Sequence, residues 1–458
     1  MERDCCDHSR RQMTRSLFCG SIMLPAVFSH LLSQEARGEV DELAPKAPHF
    51  PGKARRVIFI YLPGGASHVD SFDYKPKLID DAKNGRLYEG KRTLLPPLWE
   101  FKPRGKSGIM TSELFPHIGD SIDDVCVINS MRGDHNDHFQ ATMGIHTGSV
   151  TFKRPSIGSW VSYGLGTENQ NLPSFVVLAP QLPYAGGQVW DSDFLPGVHQ
   201  GTRVVAGDEP VANLKRRAPS ATIQEAELSL LERFNRRHQQ TRASDPQLAA
   251  RIKTYETAFG MQREMPAVLD LSKESDATMK LYGLERGQTT GFGWQCLVAR
   301  RMAERGVRFI ELIDVGASNN WDAHGDMKTH EPLARNIDKA IAGLIKDLKS
   351  RGLFEDTLVV WTTEFGRSPT AEGSYGRGHY CFAYSSLLAG AGVRGGMVYG
   401  KTDDYGMKIA ENEVHVHDFH ATILHLLGFD HTKLTFRHGG RDFRLTDVQG
   451  KVVKALLA

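Results

Sequence analysis

Short apolar runs, each stopped by glycine, proline or a polar residue, constrain the fold of this chain more than any other feature of its sequence. The first, from Val57 to Leu62, is continuous and stops at Pro63-Gly64-Gly65. A run without polar alternation is typical of a strand covered on both faces, as in the centre of a parallel sheet. The same signature recurs at residues 125–128, 175–178, 307–313 and 357–361.

Helical patterns lie between these runs. The clearest has apolar residues spaced four, three and four positions apart, at Ile337, Ile341, Leu344 and Leu348. Two further patterns cover residues 292–304 and 418–428, and Asp418 is the expected N-cap of the second. Strands that alternate with helices predict an α/β fold with a doubly wound, mostly parallel sheet flanked by helices. Because they adjoin that cap, the neighbouring histidines are expected to lie outside any site: His415, His417 and His420.

The amino-terminal residues 1–36 have the pattern of an export signal. Arg10-Arg11 precedes an apolar run from Leu17 to Leu32, an order that resembles a twin-arginine signal and predicts export to the periplasm or cell envelope. The alternatives are that this segment is a buried or disordered helix and that the protein is cytoplasmic. No other stretch approaches the roughly 20 apolar residues of a spanning helix, so we expect no transmembrane segment in the mature chain.

Beyond this signal, the sequence predicts a linker and one large domain. Residues 37–54 form a polar, proline-containing linker, and residues 55–458 form the α/β domain. Within the domain, residues 213–290 are rich in Glu, Arg, Gln and Ala at helical spacing and have little strand propensity. This composition predicts a helical insertion or cap in place of further sheet.

Charge and cysteine content exclude several classes of protein. The chain has 56 basic and 54 acidic residues, for a formal net charge of +2, so no global field selects nucleic acid or an anionic membrane as partner. Cys126, Cys296 and Cys381 are far apart and none belongs to a Cys-x-x-Cys pair. We therefore expect neither a disulfide framework nor a thiolate metal site.

Imidazole and carboxylate side chains follow four of the apolar runs. They are His68 and Asp70, then Asp137 and His138, then Asp322 and His324, and finally Glu364 and His379. Each alone could be a helix cap or a solvated side chain. Because the carboxyl ends of parallel strands meet at one edge of a sheet, however, we expect these groups to converge there. Their oxygen and nitrogen atoms suit a divalent metal such as Zn, Mn, Mg or Ca.

Longer motifs resemble the bacterial family catalogued as domain of unknown function 1501. They are Gly64 to Asp73, Arg154 to Trp160, Trp361 to Pro369 and Gly440 to Asp447. The resemblance covers the chain after about residue 45 and implies the fold of the alkaline phosphatase and sulfatase superfamily, whose members use bound metal to hydrolyse phosphate or sulfate esters. Residues 418–428 are similar to a late helix of sulfatases, and His146-Thr147-Gly148 is similar to the end of their nucleophile-bearing helix.

This chain departs from the superfamily pattern at three positions. Leu62-Pro63-Gly64 stands where an Asp normally ends the first strand, and the position of the hydroxyl nucleophile falls at about His138. Gly378-His379-Tyr380 stands where many relatives carry Asp-His-His. Because the usual nucleophile is missing, a non-catalytic protein is an alternative hypothesis.

The resemblance implies an exported metal-dependent hydrolase of sulfate or phosphate esters, acting on an anionic ester such as a sulfated or phosphorylated glycan. One metal would be held by Asp322, His324, Glu364 and His379, while His68 and Asp70 serve a second. Either activated water attacks, or His138 with Asp137 supplies the base or nucleophile. Arg367 and Arg377 would clamp the ester anion, or else pair with acidic side chains. The rival is a non-catalytic envelope binding or assembly protein that retains the fold.

Overall fold

The computed structural model describes residues 41–458 except 208, 213, 214, 217 and 241–245. The predicted export signal at residues 1–36 lies outside the described residues. The chain divides into two compact units, Met1–Glu42 and Leu43–Ala458. Of the first unit, only residues 41 and 42 are described.

A nine-stranded sheet forms the centre of the second unit. Numbered along the chain and given in order across the sheet, the strands are β14 (Met397–Tyr399), β6 (Val125–Arg132), β13 (Tyr384–Ala389), β10 (Thr357–Thr363), β1 (Arg56–Leu62), β9 (Phe309–Ile313), β7 (Phe175–Leu178) and β8 (Thr202–Val204), with β17 (Val414–His415) beside β6. Only the two pairings of β13 are antiparallel. All the other pairings within the sheet are parallel.

Among the residues that the structure describes, five two-stranded sheets lie outside the central one. They are β2 (Leu87–Tyr88) with β3 (Arg92–Thr93), β4 (Phe101–Arg104) with β5 (Ile109–Ser112), β11 (Gly366–Glu372) with β12 (Gly376–Tyr380), β15 (Lys401–Thr402) with β16 (Ile409–Glu411), and β18 (Phe436–His438) with β19 (Arg441–Phe443). The β11–β12 hairpin matters most for the site, because it sets Arg367 directly opposite His379.

The described α-helices are α1 (Pro76–Lys83), α2 (Pro116–Gly119), α3 (His138–Thr147), α4 (Ile157–Leu165), α5 (Ala221–Gln240), α6 (Pro246–Leu269), α7 (Asp276–Leu281), α8 (Phe292–Glu304), α9 (His330–Ser350) and α10 (Val416–Leu426). Within residues 213–290 the described regular secondary structure consists of the helices α5, α6 and α7. None of the helices in the described part of the chain combines the length and apolarity needed to cross a membrane.

Helices cover both faces of the sheet. Ile58 and Ile60 of β1 belong to the core that includes α8 and α9. Val57 and Phe59, which point to the opposite face, belong to the core that includes α3, α4 and α10. Alternate side chains of this fully buried strand therefore pack into two separate cores. This arrangement confirms the predicted doubly wound α/β fold.

The five predicted strand runs all lie in the central sheet, and the 292–304 pattern is α8. The cap of α10 was predicted wrongly. That helix begins at Val416, and its N-cap is His415, whose side chain accepts from the backbone of His417. Asp418 lies three residues into the helix and accepts from His415 N at 3.3 Å, so it forms the second half of a capping box.

The segment predicted as a linker is in contact with the domain from residue 43 onward. Lys46 N donates to Leu165 O at the end of α4. Lys53 N and Ala54 N both donate to Leu426 O at the end of α10. These bonds satisfy helix-end carbonyls that otherwise lack a partner.

Candidate metal centre

Loops after three parallel strands deliver the side chains of the site. His138 follows β6 and opens α3, Asp322 and His324 follow β9, and His379 lies on the hairpin after β10. We call these four residues the histidine centre. Asp137 is not among them: it is exposed and caps α3, accepting from Phe139 N at 3.0 Å.

Two glycines let the loops approach closely enough. Gly64, just after β1, has φ +113°, and a Cβ there would lie 2.6 Å from Asp322 N. A Cβ on Gly376 of β12 would lie 1.6 Å from His324 O. Any larger residue would push the Asp322 loop away from β1 or from the β11–β12 hairpin.

The side chains of the histidine centre meet around one carboxylate. His324 Nε2 lies 2.7 Å from His379 Nε2. These two nitrogens lie 2.9 Å and 3.2 Å from Asp322 Oδ1, respectively. His138 Nε2 lies 3.2 Å from the other oxygen, Asp322 Oδ2.

The second nitrogen of each ring fixes its tautomer. In all three histidines Nδ1 faces an atom that can only accept: Glu372 Oε1 at 2.9 Å from His324, Asn136 O at 2.6 Å from His379, and Glu364 Oε1 at 2.8 Å from His138. Each Nδ1 therefore donates, and a neutral ring keeps its lone pair on Nε2. Metal-binding histidines are typically oriented in this way, by a carboxylate or carbonyl behind the ring.

This donor set fits a divalent metal. Two imidazole lone pairs at 2.7 Å repel each other unless a proton or a cation lies between them. Nitrogen and carboxylate oxygen are the ligands that zinc prefers, and they also bind manganese and iron. One donor atom each of His138, Asp322 and His379 lies within 4.8 Å of the others. With the His324 side chain 40% exposed and that of Asp322 26% exposed, solvent reaches the group.

Glu364, which was predicted to be a metal ligand, lies behind His138 instead. Its Oε1 accepts from Gly64 N at 2.8 Å and from His138. Its Oε2 accepts from Tyr61 OH at 3.0 Å and from Thr363 Oγ1 at 3.1 Å. With both oxygens occupied, this buried carboxylate orients the imidazole.

The structure does not bring His68 and Asp70 to the histidine centre. Asp70 and Arg377 are both fully buried and form an ion pair at 2.8 Å. Asp70 also accepts from Ser67 Oγ at 2.5 Å. His68 Nε2 lies 2.9 Å from Gly406 O, and burial lowers the pKa of this ring. The two residues therefore stabilise the turn after β1.

The two arginines expected to clamp an anion are engaged with the protein. Arg367 is fully buried, contacts Asp322 Oδ1 at 2.5 Å, and donates to the carbonyls of Gly64, Gly65 and Arg377. Arg377 donates to Ser368 O and Pro96 O besides its bonds to Asp70. Their guanidinium groups hold the loops of the site together.

The charged groups of the histidine centre shift one another's pKa values. Burial alone would raise the pKa of Asp322, but its contacts with His138 and His379 and the charge of Arg367 lower it well below the usual range. Burial alone would lower the pKa of His138, yet Asp322 and Glu364 raise it above its ordinary value. Asp322 is thus an anion around which cationic or metal-binding groups gather.

Three contributors were missed by the sequence-based prediction. Tyr184 stacks on the His138 ring, with centroids 4.0 Å apart and planes at 6°, and its hydroxyl accepts from Asn320 Nδ2 at 2.9 Å. The others are Asn136 and Glu372. Asn136 directly precedes the predicted site residues Asp137 and His138 and could have been proposed with them, whereas Glu372 and Tyr184 carry no local signal.

A second group, which we call the capping cluster, contains Asp134, His415 and His417. One donor atom of each lies within 4.8 Å of the others. His415 Nε2 lies 2.8 Å from Asp134 Oδ1, and His415 Nδ1 accepts from His417 N at 3.3 Å. His417 Nε2 donates to Gly148 O at 2.8 Å. The cluster ties the start of α10 to the end of α3.

Comparison with known proteins gives a family and several distant structures. Residues 54–457 match the family described as Protein of unknown function (DUF1501). None of the curated proteins matches the chain. The alkaline phosphatase of the Antarctic bacterium TAB5 is 10% identical over 83% of this chain and 99% of its own, with a TM-score of 0.36. The PsFucS1 sulfatase of Pseudoalteromonas sp. is 12% identical over 87% and 72%, with a TM-score of 0.34. The lipoteichoic acid synthase LtaP of Listeria monocytogenes is 10% identical over 89% and 79%, with a TM-score of 0.36.

Proposed function

This chain belongs to the DUF1501 family, as its motifs predicted, and we propose that it is a metal-dependent hydrolase of sulfate or phosphate esters. The observation that carries the proposal is the 2.7 Å approach of His324 Nε2 to His379 Nε2 beside Asp322. A proton shared between the two rings would relieve their repulsion as one N–H···N hydrogen bond. A divalent cation would bind both nitrogens and also the carboxylate beside them.

Asp322, His324 and His379 would hold the metal, with Glu372 and Asn136 orienting the two rings. When bound, such an ion polarises an ester oxygen and lowers the pKa of water. His138 keeps its Nδ1 proton on Glu364 and presents Nε2 beside Asp322. In that position it is suited to accept a proton from an attacking group, so we assign it the role of general base.

A non-catalytic binding or assembly role is the second candidate, and a specific observation favours it. Arg367 and Arg377, the two guanidinium groups nearest in sequence to Glu364 and His379, donate to protein oxygens and are fully buried. A hydrolase of anionic esters usually keeps such donors for its substrate. In the proposed hydrolase the metal itself would have to supply that positive charge.

Metal analysis and ester assays on the full chain separate the two candidates. The protein is loaded in turn with Zn, Mn, Mg and Ca, and its turnover of p-nitrophenyl phosphate and p-nitrophenyl sulfate is measured. We expect Asp322→Asn to lose metal and to reduce turnover by about 100-fold or more, since even residues behind a ligand account for 10–100-fold. Asp134→Asn, the matched change in the capping cluster, should retain both. Metal binding without turnover of either ester would support the non-catalytic candidate, and absence of both would contradict the metal proposal.

We further propose that the protein acts outside the cytoplasm, on an anionic ester such as a sulfated or phosphorylated glycan. The support is the Arg10-Arg11 pair followed by the apolar run that ends at Leu32. Replacing both arginines by lysine should keep the protein in the cytoplasmic fraction, because the twin-arginine route reads that pair. Unchanged export of the double variant would contradict this route.

A further inference from the structure

The imidazole of His138 is held at its edge by a carboxylate and across its face by a phenol ring. At the edge, Glu364 accepts from Nδ1. Among the described residues, the rings of Phe365, His379 and Tyr184 pack against His138, with planes at 39°, 69° and 6° to it. The Tyr184 ring is thus the parallel one, and it covers a whole face of the imidazole at a centroid distance of 4.0 Å. A ring stacked in this way opposes rotation of the imidazole out of its plane.

Asn320 ties Tyr184 to the loop that carries Asp322. Tyr184 follows β7 and Asp322 follows β9, so the two belong to different loops. The buried Asn320 side chain donates through Nδ2 to the Tyr184 hydroxyl at 2.9 Å and to Gly316 O at 3.0 Å. Its Oδ1 accepts from Asp322 N at 3.0 Å. Both N–H groups and the oxygen are therefore engaged, and one side chain fixes both the backbone of a proposed metal ligand and the ring over His138.

The loop after β9 has anchors of its own. Trp321 N donates to Pro63 O at 3.2 Å, at the end of β1. The indole Nε1 of this fully buried residue donates to Asp314 Oδ2 at 2.8 Å, just after β9. These bonds hold the loop to two neighbouring strands. The bond from Asn320 to Tyr184 is therefore not needed to close the loop, and its effect is to join the loop to the ring that covers His138.

We propose that Tyr184 and Asn320 are positioning residues that hold the general base His138 beside the metal ligand Asp322. The proposal rests on the proposed hydrolase function. His138 Nε2 lies 3.2 Å from Asp322 Oδ2, and a displacement of about 1 Å within an active site can reduce the rate by about 100-fold. Tyr184 contacts the base, whereas Asn320 also contacts the loop of the ligand. Loss of Tyr184 should therefore impair the base alone, and loss of Asn320 should impair both the base and the metal.

Steady-state kinetics and Zn²⁺ titration of the full chain test this difference, with whichever p-nitrophenyl ester wild type hydrolyses faster. Tyr184→Leu should lower kcat by about 10- to 100-fold and leave KM and Zn²⁺ affinity unchanged. Tyr184→Phe should have an intermediate kcat, because it keeps the stacked ring and loses only the bond to Asn320. Asn320→Ala should lower both kcat and Zn²⁺ affinity by about 10-fold or more. Tyr74→Leu, at a tyrosine packed on Phe101 with centroids 5.2 Å apart, is the control and should change neither.

Proton NMR of the metal-free chain tests the stack independently of turnover. The ring current of Tyr184 should shift the Hδ2 and Hε1 signals of His138 upfield, and His138→Gln identifies these signals. They should move downfield in Tyr184→Leu and stay in place in Tyr184→Phe, which keeps an aromatic ring over the imidazole. Far-UV circular dichroism checks that each variant is folded.

Three results would overturn the proposal in an active enzyme. They are His138 signals that do not move in Tyr184→Leu, a kcat of Tyr184→Leu equal to that of wild type, and a Zn²⁺ affinity that falls equally in Tyr184→Leu and Asn320→Ala. A wild type that hydrolyses neither ester while the His138 signals do shift is a different outcome. The hydrolase function then fails, the stack stands, and the two residues have only a structural role.

Discussion

The histidine centre and the capping cluster are built from the same residue types and lie at the same end of the sheet, yet their ring nitrogens are used differently. In the capping cluster His415 Nε2 faces Asp134, while His415 Nδ1 accepts from the backbone of His417 and also lies 3.1 Å from His417 Nδ1. In the histidine centre each Nδ1 is engaged, and the facing Nε2 atoms of His324 and His379 lie 2.9 Å and 3.2 Å from one carboxylate oxygen, Asp322 Oδ1. Composition alone cannot separate a cap from a metal site, whereas the partner of each nitrogen can.

The largest expected effect separates the two groups directly. His379→Ala removes one of two facing nitrogens, so metal affinity should fall by about 100-fold or more and ester turnover with it. His417→Ala, the matched change in the capping cluster, should leave metal content unchanged. Isothermal titration with Zn²⁺ and the ester assay measure both. Equal losses in the two variants would remove the distinction between the groups.

Glu364→Gln tests the layer behind the histidine centre. The substitution keeps the size of the side chain but weakens the acceptor that fixes His138. Residues that orient a ligand or base typically account for 10–100-fold in affinity or activity, so we expect turnover to fall by about that factor. Glu413→Gln, at an exposed partner of Arg132, serves as control. Turnover equal to that of wild type would show that His138 needs no support from Glu364.

The sequence predicted the fold best for the strands that are buried on both faces. The runs at 57–62 and 357–361 had to be central strands, because only strands covered on both faces stay apolar throughout, and both lie in the middle of the sheet. The 292–304 helix was predicted with its bounds. The N-cap of α10 was not, because an Asp is usually preferred there and the capping role of His415 depends on its position after β17.

The sequence predicted which loops form the site, but it did not predict which of their side chains meet. Three of four strand-end loops do converge, which follows from parallel strand direction. His68 and Asp70 do not join them because the β11–β12 hairpin folds back and its Arg377 pairs with Asp70. The hairpin is short and largely polar, so its sequence has no hydrophobic periodicity from which it could be predicted. The histidine tautomers and the stacking of Tyr184 depend on contacts between residues far apart in sequence, so they could not be predicted from it.

Replacing His415 should affect stability and leave the histidine centre intact. His415→Ala removes the N-cap of α10, and loss of a cap costs about 0.5–2 kcal/mol in the free energy of unfolding. His415→Asn should retain most of that stability, since asparagine is among the preferred caps. Urea denaturation measures the difference, and metal content should match wild type in both variants. A loss of metal in His415→Ala would mean that the capping cluster and the histidine centre form a single metal site.

The smallest effect concerns the acid of the capping cluster. The hydrogen bond from His415 lowers the pKa of Asp134 below its ordinary value, although burial opposes the shift. A lowered carboxyl pKa contributes stability that is present above the ordinary value and is lost as the pH falls through the lowered one. In His415→Ala the pKa of Asp134 should therefore rise, as followed by carbon-13 NMR of the carboxyl group and assigned with Asp134→Asn. An unchanged pKa would mean that the imidazole does not donate to this carboxylate, and the cluster would then have a nitrogen available for a metal after all.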